Sequence, residues 1–463
     1  MPTYEMNSNN EVFAGRFKVS ADPMLDMLDM LAAMPNNSWH QIPLATSFTE
    51  SWVETELRPP YLSAKASPVA IIRAWGCIAY DTSRRQLVLW GGGHANTSDN
   101  TPYIFDMTTG IYSYAYLPSD YVTLGTGLHT PICGGFRQPN SSHCYDNNLY
   151  LPILDKFCTF GGAQHGDGGA FKLYDSSNGY SYLRLAGAYL LDTAAAGQNL
   201  VAGGTGDNPK TGAFTGVNIA GANAWQLRDW FGTGQASVFG SENTLTNGKT
   251  AYREEAGRDV VYAARSASGN KSLYRIEFHQ DQSNDVITKV GRGFNGNSGS
   301  LSGGLDTQRN IFVQGNSGTT AAFVFWDLDY SGPTNNDKRV RYDSINGDIT
   351  EYLNDIHNGM MAPDFDRQLN KFVLWGNGGT LYYLTPPDQK PTLTTGWHIE
   401  KVEPTGASRP MTAAELSASG GGGVGVYGKW EYAPDLRCFI GLQHAQLGNV
   451  WLYKPRNWTD PRI

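Results

Sequence analysis

A short pattern of strands and turns recurs along this chain, and it constrains the fold more than any other feature. Each copy has an apolar strand, a polar turn that carries Asp with Arg, Lys or Asn, and a second apolar strand that ends at Gly or Asn. Clear copies are GCIAYDTSRRQLVLWGG (Gly76 to Gly92), GGLDTQRNIFVQGN (Gly303 to Asn316) and APDFDRQLNKFVLWGNGG (Ala362 to Gly379). A third strand with an aromatic residue and a fourth strand complete the unit. Such recurrence indicates a repeat architecture.

Four antiparallel strands with a period of roughly 40 to 50 residues correspond to one blade of a β-propeller. We therefore predict an all-β fold, a seven-bladed β-propeller of four-stranded antiparallel blades. The predicted blades lie near residues 68–118, 130–186, 190–232, 245–293, 297–347, 355–403 and 425–455. The third predicted blade is the weakest, because the sequence defines its first strand poorly.

The last predicted blade has only three strands, and the N-terminal region offers a fourth. NSWHQIP (Asn37 to Pro43) resembles an outer strand, and pairing it with the last blade would close the ring and remove both open edges. PMLDMLDMLAAMP (Pro23 to Pro35) predicts a short helix between two prolines. We expect this helix to pack on the propeller, with partner binding as the alternative. The predicted division is residues 1–35 as tail and helix, and 36–463 as one propeller.

Composition supports this architecture and limits the classes of partner. The chain has 54 Gly, 25 Tyr and 12 Trp among 463 residues, as expected for many short aromatic strands joined by turns. The net charge is −8 and no basic run stands out, so we expect no nucleic-acid partner. No apolar stretch approaches the ~18 residues of a membrane span, and the N-terminus has no signal-peptide pattern. The five cysteines contain no CxxC pair and are expected to be buried free thiols.

The repeated Asp-turn and aromatic-Asp pattern resembles that of kelch and galactose-oxidase-type propellers, from about Trp39 onward. The resemblance implies the architecture and leaves function open, because propellers host many activities. Galactose oxidase needs a tyrosine directly followed by a histidine in its copper site. No Tyr-His dipeptide occurs here, so copper-radical oxidation is not expected.

Propeller topology places six of the nine histidines at one end of the channel, which we call the mouth. The loop from the second to the third strand of a blade lies on the same face as the segment that leads to the first strand. His94, His165 and His444 follow second strands, whereas His129, His143 and His357 open or precede first strands. We assign substrate binding at the mouth to Arg73, Trp75, His94, His357, Asn377, Trp430 and His444. Asp167, Lys429 and Glu431 are expected at the same face.

No cofactor is expected, although a zinc or other divalent metal on His94, His143, His165 or His444 is an alternative. These histidines come from different blades, so their spacing forms no recognised metal motif.

A second resemblance, to ulvan-lyase-type propeller polysaccharide lyases, implies a catalytic set. SSHCYDNN and GGAQHGDGG supply His143 and His165, and AYREEAGRDVVYAARS supplies Tyr252 and Arg265. In β-elimination beside a uronate, Arg265 would neutralise the carboxylate and a neutral histidine would remove the C5 proton. Tyr252 or the second histidine would protonate the leaving oxygen. Polysaccharide lyase activity on uronate-containing glycans is therefore one hypothesis.

The GGGH turn (Gly91 to His94) also resembles turns of phage-encoded propellers, which leads to a non-catalytic hypothesis. Here the chain is a virion or tail-associated propeller that binds a receptor glycan through its His/Arg/Trp-rich mouth. Residues 1–35 would then contact other virion proteins. The expected location is the virion, or the extracellular space after particle release, with no part embedded in a membrane. We take this as the primary functional prediction and lyase activity as the alternative.

Overall fold

The structure is a computed structural model, and it describes most of the repeat region. The described residues are 12–14, 17–19, 23–55, 67–92, 99–118, 120–124, 128–133, 136–137, 139, 141–164, 172–175, 181–184, 188–194, 225–228, 230, 249–264, 272–291, 303–315, 323–330, 337–359, 362–376, 378–388, 394–422 and 425–463.

Six antiparallel sheets form the propeller, and the inner strand of each contacts that of the next around a closed ring. The first blade consists of Ile78–Asp81, Gln86–Leu89, Tyr103–Asp106 and Ile111–Tyr114. The second consists of Asn148–Leu151, Lys156–Thr159, Tyr189–Leu191 and Trp225–Leu227. The third consists of Lys249–Glu255, Arg258–Ala264, Leu273–Phe278 and Val286–Gly291.

The remaining three blades complete the ring. The fourth consists of Gly303–Asp306, Ile311–Gly315, Phe323–Asp327 and Asp337–Val340. The fifth consists of Ala362–Asp366, Lys371–Trp375, Leu381–Thr385 and Trp397–Val402, with Ile345–Gly347 added in parallel as a fifth strand. The sixth consists of Trp430–Ala433, Cys438–Gln443, Asn449–Lys454 and the N-terminal strand Ser38–Gln41. Ser38–Gln41 runs antiparallel to Asn449–Lys454 at the outer edge.

The prediction of a propeller with four-stranded antiparallel blades is confirmed, but the predicted count of seven blades is wrong. Tyr189–Leu191 and Trp225–Leu227, which the sequence assigned to a separate third blade, are the two outer strands of the second. Lys172–Asp175 and Ser181–Arg184, predicted for those places, form a separate hairpin. The buried Tyr189 and Leu191 pack towards the first blade and Leu190 towards the third, so this short apolar strand fits a blade interior.

The remaining elements connect or flank the blades. The α-helices of the described residues are Pro23–Ala33, Val69–Ile72, Ile349–Gly359 and Ala413–Ala418. The strands outside the blades are, besides the hairpin above, Val12–Ala14, Phe17–Val19, Asp120–Leu124, Leu128–Cys133, Phe136–Arg137, Ser142–His143 and Ala163–Gln164. In the part of the chain that is described, no helix has the length and apolar character needed to cross a bilayer.

The Asp of the repeated pattern organises the turn between the first and second strands. Asp81 accepts hydrogen bonds from the backbone N–H groups of Ser83 and Arg84 at 2.9 and 3.0 Å. Asp306 does the same in the fourth blade, where Arg309 also pairs with its carboxylate at 2.8 Å. The repeated Asp and Arg are therefore turn-forming residues on the face opposite the mouth.

The N-terminal helix packs on the propeller with its apolar side. Met27, Leu28 and Leu31 are buried in the core shared by the first and sixth blades. Lys454 donates hydrogen bonds to the carbonyls of Leu31 and Met34 at 2.6 and 2.7 Å, which satisfies the end of the helix. The cysteines with described side chains, Cys77, Cys144, Cys158 and Cys438, are buried free thiols.

Connections on the two faces differ in length. Consecutive blades are separated in sequence by as many as 33 residues between Tyr114 and Asn148, and by long segments between Leu227 and Lys249 and between Val402 and Trp430. On the opposite face, first and second strands are joined by short turns such as 82–85 and 367–370. Because long connections over a rigid scaffold commonly carry binding residues, the mouth is the face to search for a site.

Candidate functional site

Three aromatic residues occupy equivalent positions at the mouth. Trp75, Tyr145 and Tyr427 each lie three residues before the inner strand of the first, second and sixth blades, which are neighbours in the ring. All three have a left-handed backbone, with φ of 71°, 56° and 50°. The ring of Trp75 lies 6.1 Å from that of Tyr145 and 6.3 Å from that of Tyr427. This backbone conformation costs about 1–3 kcal/mol for a bulky residue and concentrates at functional sites.

Backbone hydrogen bonds hold these three segments together. The N–H of Tyr145 donates to the carbonyl of Trp75, and the N–H of Gly428 donates to the carbonyl of Tyr145, both at 2.8 Å. A Cβ at Gly428 would lie 2.5 Å from the carbonyl oxygen of Tyr145 and would also collide with the sulfur of Cys77. Only glycine allows the backbone at Gly428 to come this close to Tyr145 and Cys77. The segments that lead to the sixth and second blades therefore meet where the first blade begins.

Polar and charged side chains surround the aromatic trio. The His143 ring lies 4.9 Å from that of Trp75. The ammonium group of Lys429 donates to the carbonyl of Arg73 at 3.3 Å and lies 5.5 Å from the centre of the Tyr427 ring. We name this group the mouth cluster: Arg73, Trp75, His143, Tyr145, Tyr427 and Lys429.

The two cations of the mouth cluster have unusual surroundings. Lys429 is only 4% exposed, and burial lowers its pKa to about 7. The Nε of Arg73 is buried and has no hydrogen-bond partner among the described residues. The guanidinium lies beside Gly422, at which a Cβ would be 3.3 Å from a terminal nitrogen of Arg73. Neither cation forms an ion pair with a described carboxylate.

His444 lies next to the cluster and shapes a turn. Its Nδ1 accepts a hydrogen bond from the N–H of Leu447 at 3.1 Å, and its carbonyl accepts from Gly448 at 2.7 Å. Burial lowers the pKa of this histidine. Its ring packs against Gly421, the neighbour of Gly422, so His444 supports the loop that passes Arg73.

Two other predicted site residues lie away from the cluster. The Trp430 ring stacks on Phe439 at 4.8 Å, and its Nε1 donates to the carbonyl of Val373 at 3.0 Å, so it packs between the fifth and sixth blades. Tyr252 lines the central channel and hydrogen-bonds to Asp259, which accepts in turn from the backbone of a turn opposite the mouth. Burial raises the pKa of the Tyr252 phenol.

The structure therefore brings together some of the predicted residues. Trp75 and His143 meet in the mouth cluster, and Lys429 links Arg73 to it through the Arg73 carbonyl. His357 lies on the helix Ile349–Gly359, which leads to the fifth blade. The predicted site residues His94, His165, Arg265 and Asn377, together with Asp167, lie outside the described residues.

Because His165 and Arg265 are not described, the lyase set stays a prediction. Of its other two members, His143 is at the mouth. Lys249 forms an isolated β-bridge with Asp146 at the mouth end of the channel, and Tyr252 lies three residues further along the same inner strand. Because three residues of strand span about 10 Å, Tyr252 lies about that distance along the channel from the mouth end.

The central channel forms a second polar site that the sequence did not predict. Its cavity has a volume of about 160 Å³ and is lined by residues from all six inner strands. Three carboxyl groups there accept backbone hydrogen bonds from other blades. Asp146 accepts from Gly303 at 2.9 Å, Asp364 from Tyr432 at 2.7 Å, and Glu431 from Tyr80 at 2.8 Å. Glu431, expected at the mouth, thus ties the sixth blade to the first.

Burial is the main cause of altered acidity in the channel. It raises the pKa of Asp146 to about 8 and that of Asp364 to about 6, and it places that of Glu431 well above its usual value. Repulsion among the three carboxylates adds to the effect. The cavity is smaller than the ~300–1,000 Å³ of typical ligand pockets, so these acids act first as links between blades.

Two residues of the mouth cluster, Tyr145 and Tyr427, were missed by sequence reasoning. The available signal is an aromatic residue placed three positions before the inner strand in three of the six blades, in WGC, YDN and YGK. Within the described part of the chain, no three His, Cys, Asp or Glu side chains are grouped so as to hold a metal ion.

Comparison with known proteins assigns no family to the chain. No family model and no curated protein matches it. Among solved structures, it is similar to Penicillium chrysogenum alpha-L-arabinanase complexed with arabinobiose, at 9% identity over 85% of this chain and 97% of that chain, with a TM-score of 0.39. It is also similar to the dihydro-heme d1 dehydrogenase NirN in complex with DHE, at 10% identity over 81% and 78%, with a TM-score of 0.22. Neither similarity assigns a substrate or a reaction to this chain.

Proposed function

We propose that this propeller is a glycan-binding protein and that the sugar docks on the mouth cluster. The observation that carries the proposal is the left-handed aromatic trio of Trp75, Tyr145 and Tyr427. Three neighbouring blades hold a bulky aromatic residue in a costly conformation at the same position, and the three side chains meet beside His143. Conformational strain repeated at one place supports a role in binding.

The chemistry of the cluster suits a sugar. A flat aromatic face packs against the C–H face of a sugar ring, and polar groups around it bind the hydroxyls. Trp75 and His143 are half-buried, whereas Tyr145 and Tyr427 are buried and support Trp75. Trp75 is thus the expected stacking platform, with Arg73 and His143 as polar contacts.

A glycan array with purified protein tests this proposal. The informative variant is Trp75→Ala, and the matched control is Tyr330→Ala, because Tyr330 is an aromatic residue 40% exposed outside the cluster. We expect wild type and control to bind the same glycans, and Trp75→Ala to bind at least about tenfold more weakly, since a lost aromatic contact costs about 1.4 kcal/mol or more. Absence of binding by the wild type, or equal binding by Trp75→Ala, would contradict the proposal.

Placement in a virion, with residues 1–35 as the contact to other particle proteins, extends this proposal. It is supported by the resemblance of the GGGH turn alone. Mass spectrometry of purified virions tests this placement. Detection of the chain in the virions is the expected result, and failure to detect the chain would contradict the placement.

A further inference from the structure

Among the described residues, the mouth cluster contains positive charge without a matching negative charge. Arg73 and Lys429 are neighbours, because the Lys429 ammonium donates a hydrogen bond to the backbone carbonyl of Arg73 at 3.3 Å. Buried charges in proteins are normally paired, because desolvation of an unpaired charge is costly. Two neighbouring basic residues, one half-buried and one buried, with no carboxylate partner in the described part of the chain are the arrangement expected of a site that awaits an anion.

The groups that face Lys429 do not supply that anion. Burial raises the pKa of the Cys77 thiol well above its usual value and that of the Tyr427 phenol to about 12, so both are neutral at physiological pH. Arg73 is positive, and His143 is neutral or positive. The whole chain is acidic, with a net charge of −8, so this local surplus of positive charge is not a general property of the molecule.

We propose that the mouth cluster selects glycans that carry a negative group, either a carboxylate or a sulfate ester, with Arg73 and Lys429 as its counter-charges. This inference rests on the proposed function and specifies its ligand class. Arg73 is the direct contact, because its guanidinium offers a fork of donors to an oxyanion. Lys429, whose ammonium group donates to the backbone carbonyl of Arg73, is a positioning residue that acts through charge.

Binding of an acidic sugar then has a measurable consequence. Burial keeps the pKa of Lys429 at about 7 in the free protein, so much of this lysine is neutral at pH 7.5. An anion held by Arg73 favours the charged form of Lys429 and raises its pKa. Binding above pH 7 therefore takes up a fraction of a proton that approaches one as the pH rises, and affinity declines between pH 7 and pH 9.

Isothermal titration calorimetry tests this with three probes of similar length: an oligogalacturonate, a sulfated galactan oligosaccharide and an uncharged galactan oligosaccharide. Titration at pH 7.5 in buffers of different ionisation enthalpy gives the number of protons taken up. We expect one of the two acidic probes, or both, to bind at least tenfold more tightly than the neutral probe, and this shows whether carboxylate or sulfate is recognised. Lys429→Met should abolish proton uptake, and Arg73→Gln should remove the preference for charge.

Several results would overturn the inference, and they are distinct from failure of the proposed function. Equal affinity for acidic and neutral probes overturns charge selection but leaves glycan binding intact. Proton uptake that persists in Lys429→Met shows that another group titrates. If Lys429→Met does not fold, the wild type alone still provides a test. An affinity of the wild type for the acidic probes that stays constant from pH 7 to pH 9 would overturn the role of Lys429. Absence of binding by all three probes overturns the inference, and absence across the whole glycan array overturns the proposed function as well.

Discussion

The channel carboxyl groups make the stability of this propeller depend on pH in a direction opposite to that of most acidic residues. Asp364 is the best test, because its carboxylate accepts backbone hydrogen bonds from Tyr432 and Phe365, both at 2.7 Å. Despite these bonds, burial raises its pKa from 3.8 to about 6. Substitution Asp364→Asn keeps the size of the side chain and makes it permanently neutral.

The size of the effect follows from this shift. A difference of about two pKa units corresponds to about 3 kcal/mol, at ~1.4 kcal/mol per unit. Because the folded state holds the proton more tightly than the unfolded state, this stabilisation is present below pH 4 and is lost as the pH rises through about 6. The neutral side chain of Asp364→Asn keeps this stabilisation at every pH. The free energy of unfolding of the variant therefore rises by about 2–3 kcal/mol relative to that of the wild type between pH 4 and pH 8.

Urea unfolding at half-unit pH intervals, followed by circular dichroism, measures this difference. Replacement of one hydrogen-bond acceptor by an amide group changes the free energy of unfolding of the variant by the same amount at every pH. The informative quantity is therefore the slope, against pH, of the difference in free energy of unfolding between variant and wild type. Asp388→Asn serves as the control, because the Asp388 side chain is 99% exposed and its difference curve should be flat. A curve for Asp364→Asn that is as flat as that of the control would show that burial in the channel does not raise the pKa of this carboxyl.

Two further predictions concern the mouth. Gly428→Ala should destabilise the protein by at least ~2 kcal/mol, because its Cβ would collide with Cys77 and Tyr145. At Gly257 the new Cβ would meet no atom within 4 Å and only the left-handed backbone, with φ of 72°, opposes alanine, so Gly257→Ala should lose less. Equal losses in urea unfolding would show that the mouth is not tightly packed. Incubation with uronate-containing polysaccharides should give no rise in ultraviolet absorbance from unsaturated uronate, since the proposed function is binding. A rise that disappears in His143→Ala would instead establish the lyase hypothesis.

The repeat pattern was sufficient to predict the architecture because its residues perform local tasks. Asp81 and Asp306 bind the backbone of their own turns, so their role depends on the neighbouring sequence. The number of blades was mispredicted because a hairpin signal does not report which sheet a hairpin joins. Lys172–Asp175 and Ser181–Arg184 satisfy that signal, yet Tyr189–Leu191 occupies the blade.

The candidate site was only partly predictable for a similar reason. Topology placed Arg73, Trp75 and His143 at the mouth, but the left-handed conformations of Tyr145 and Tyr427 arise where three blades meet. The burial of Trp430 against Phe439 likewise depends on packing between blades. The raised pKa of Asp364 also needs the whole ring, because its channel forms only when all six inner strands assemble.

Glycan binding at the mouth cluster is best tested by a crystal structure with the glycan that binds most tightly on the array. We expect a sugar ring against Trp75, with an acidic group at the guanidinium of Arg73. A sugar bound in the channel against Asp364 and Glu431, with Trp75 uncontacted, would contradict both the proposed function and the inferred ligand class.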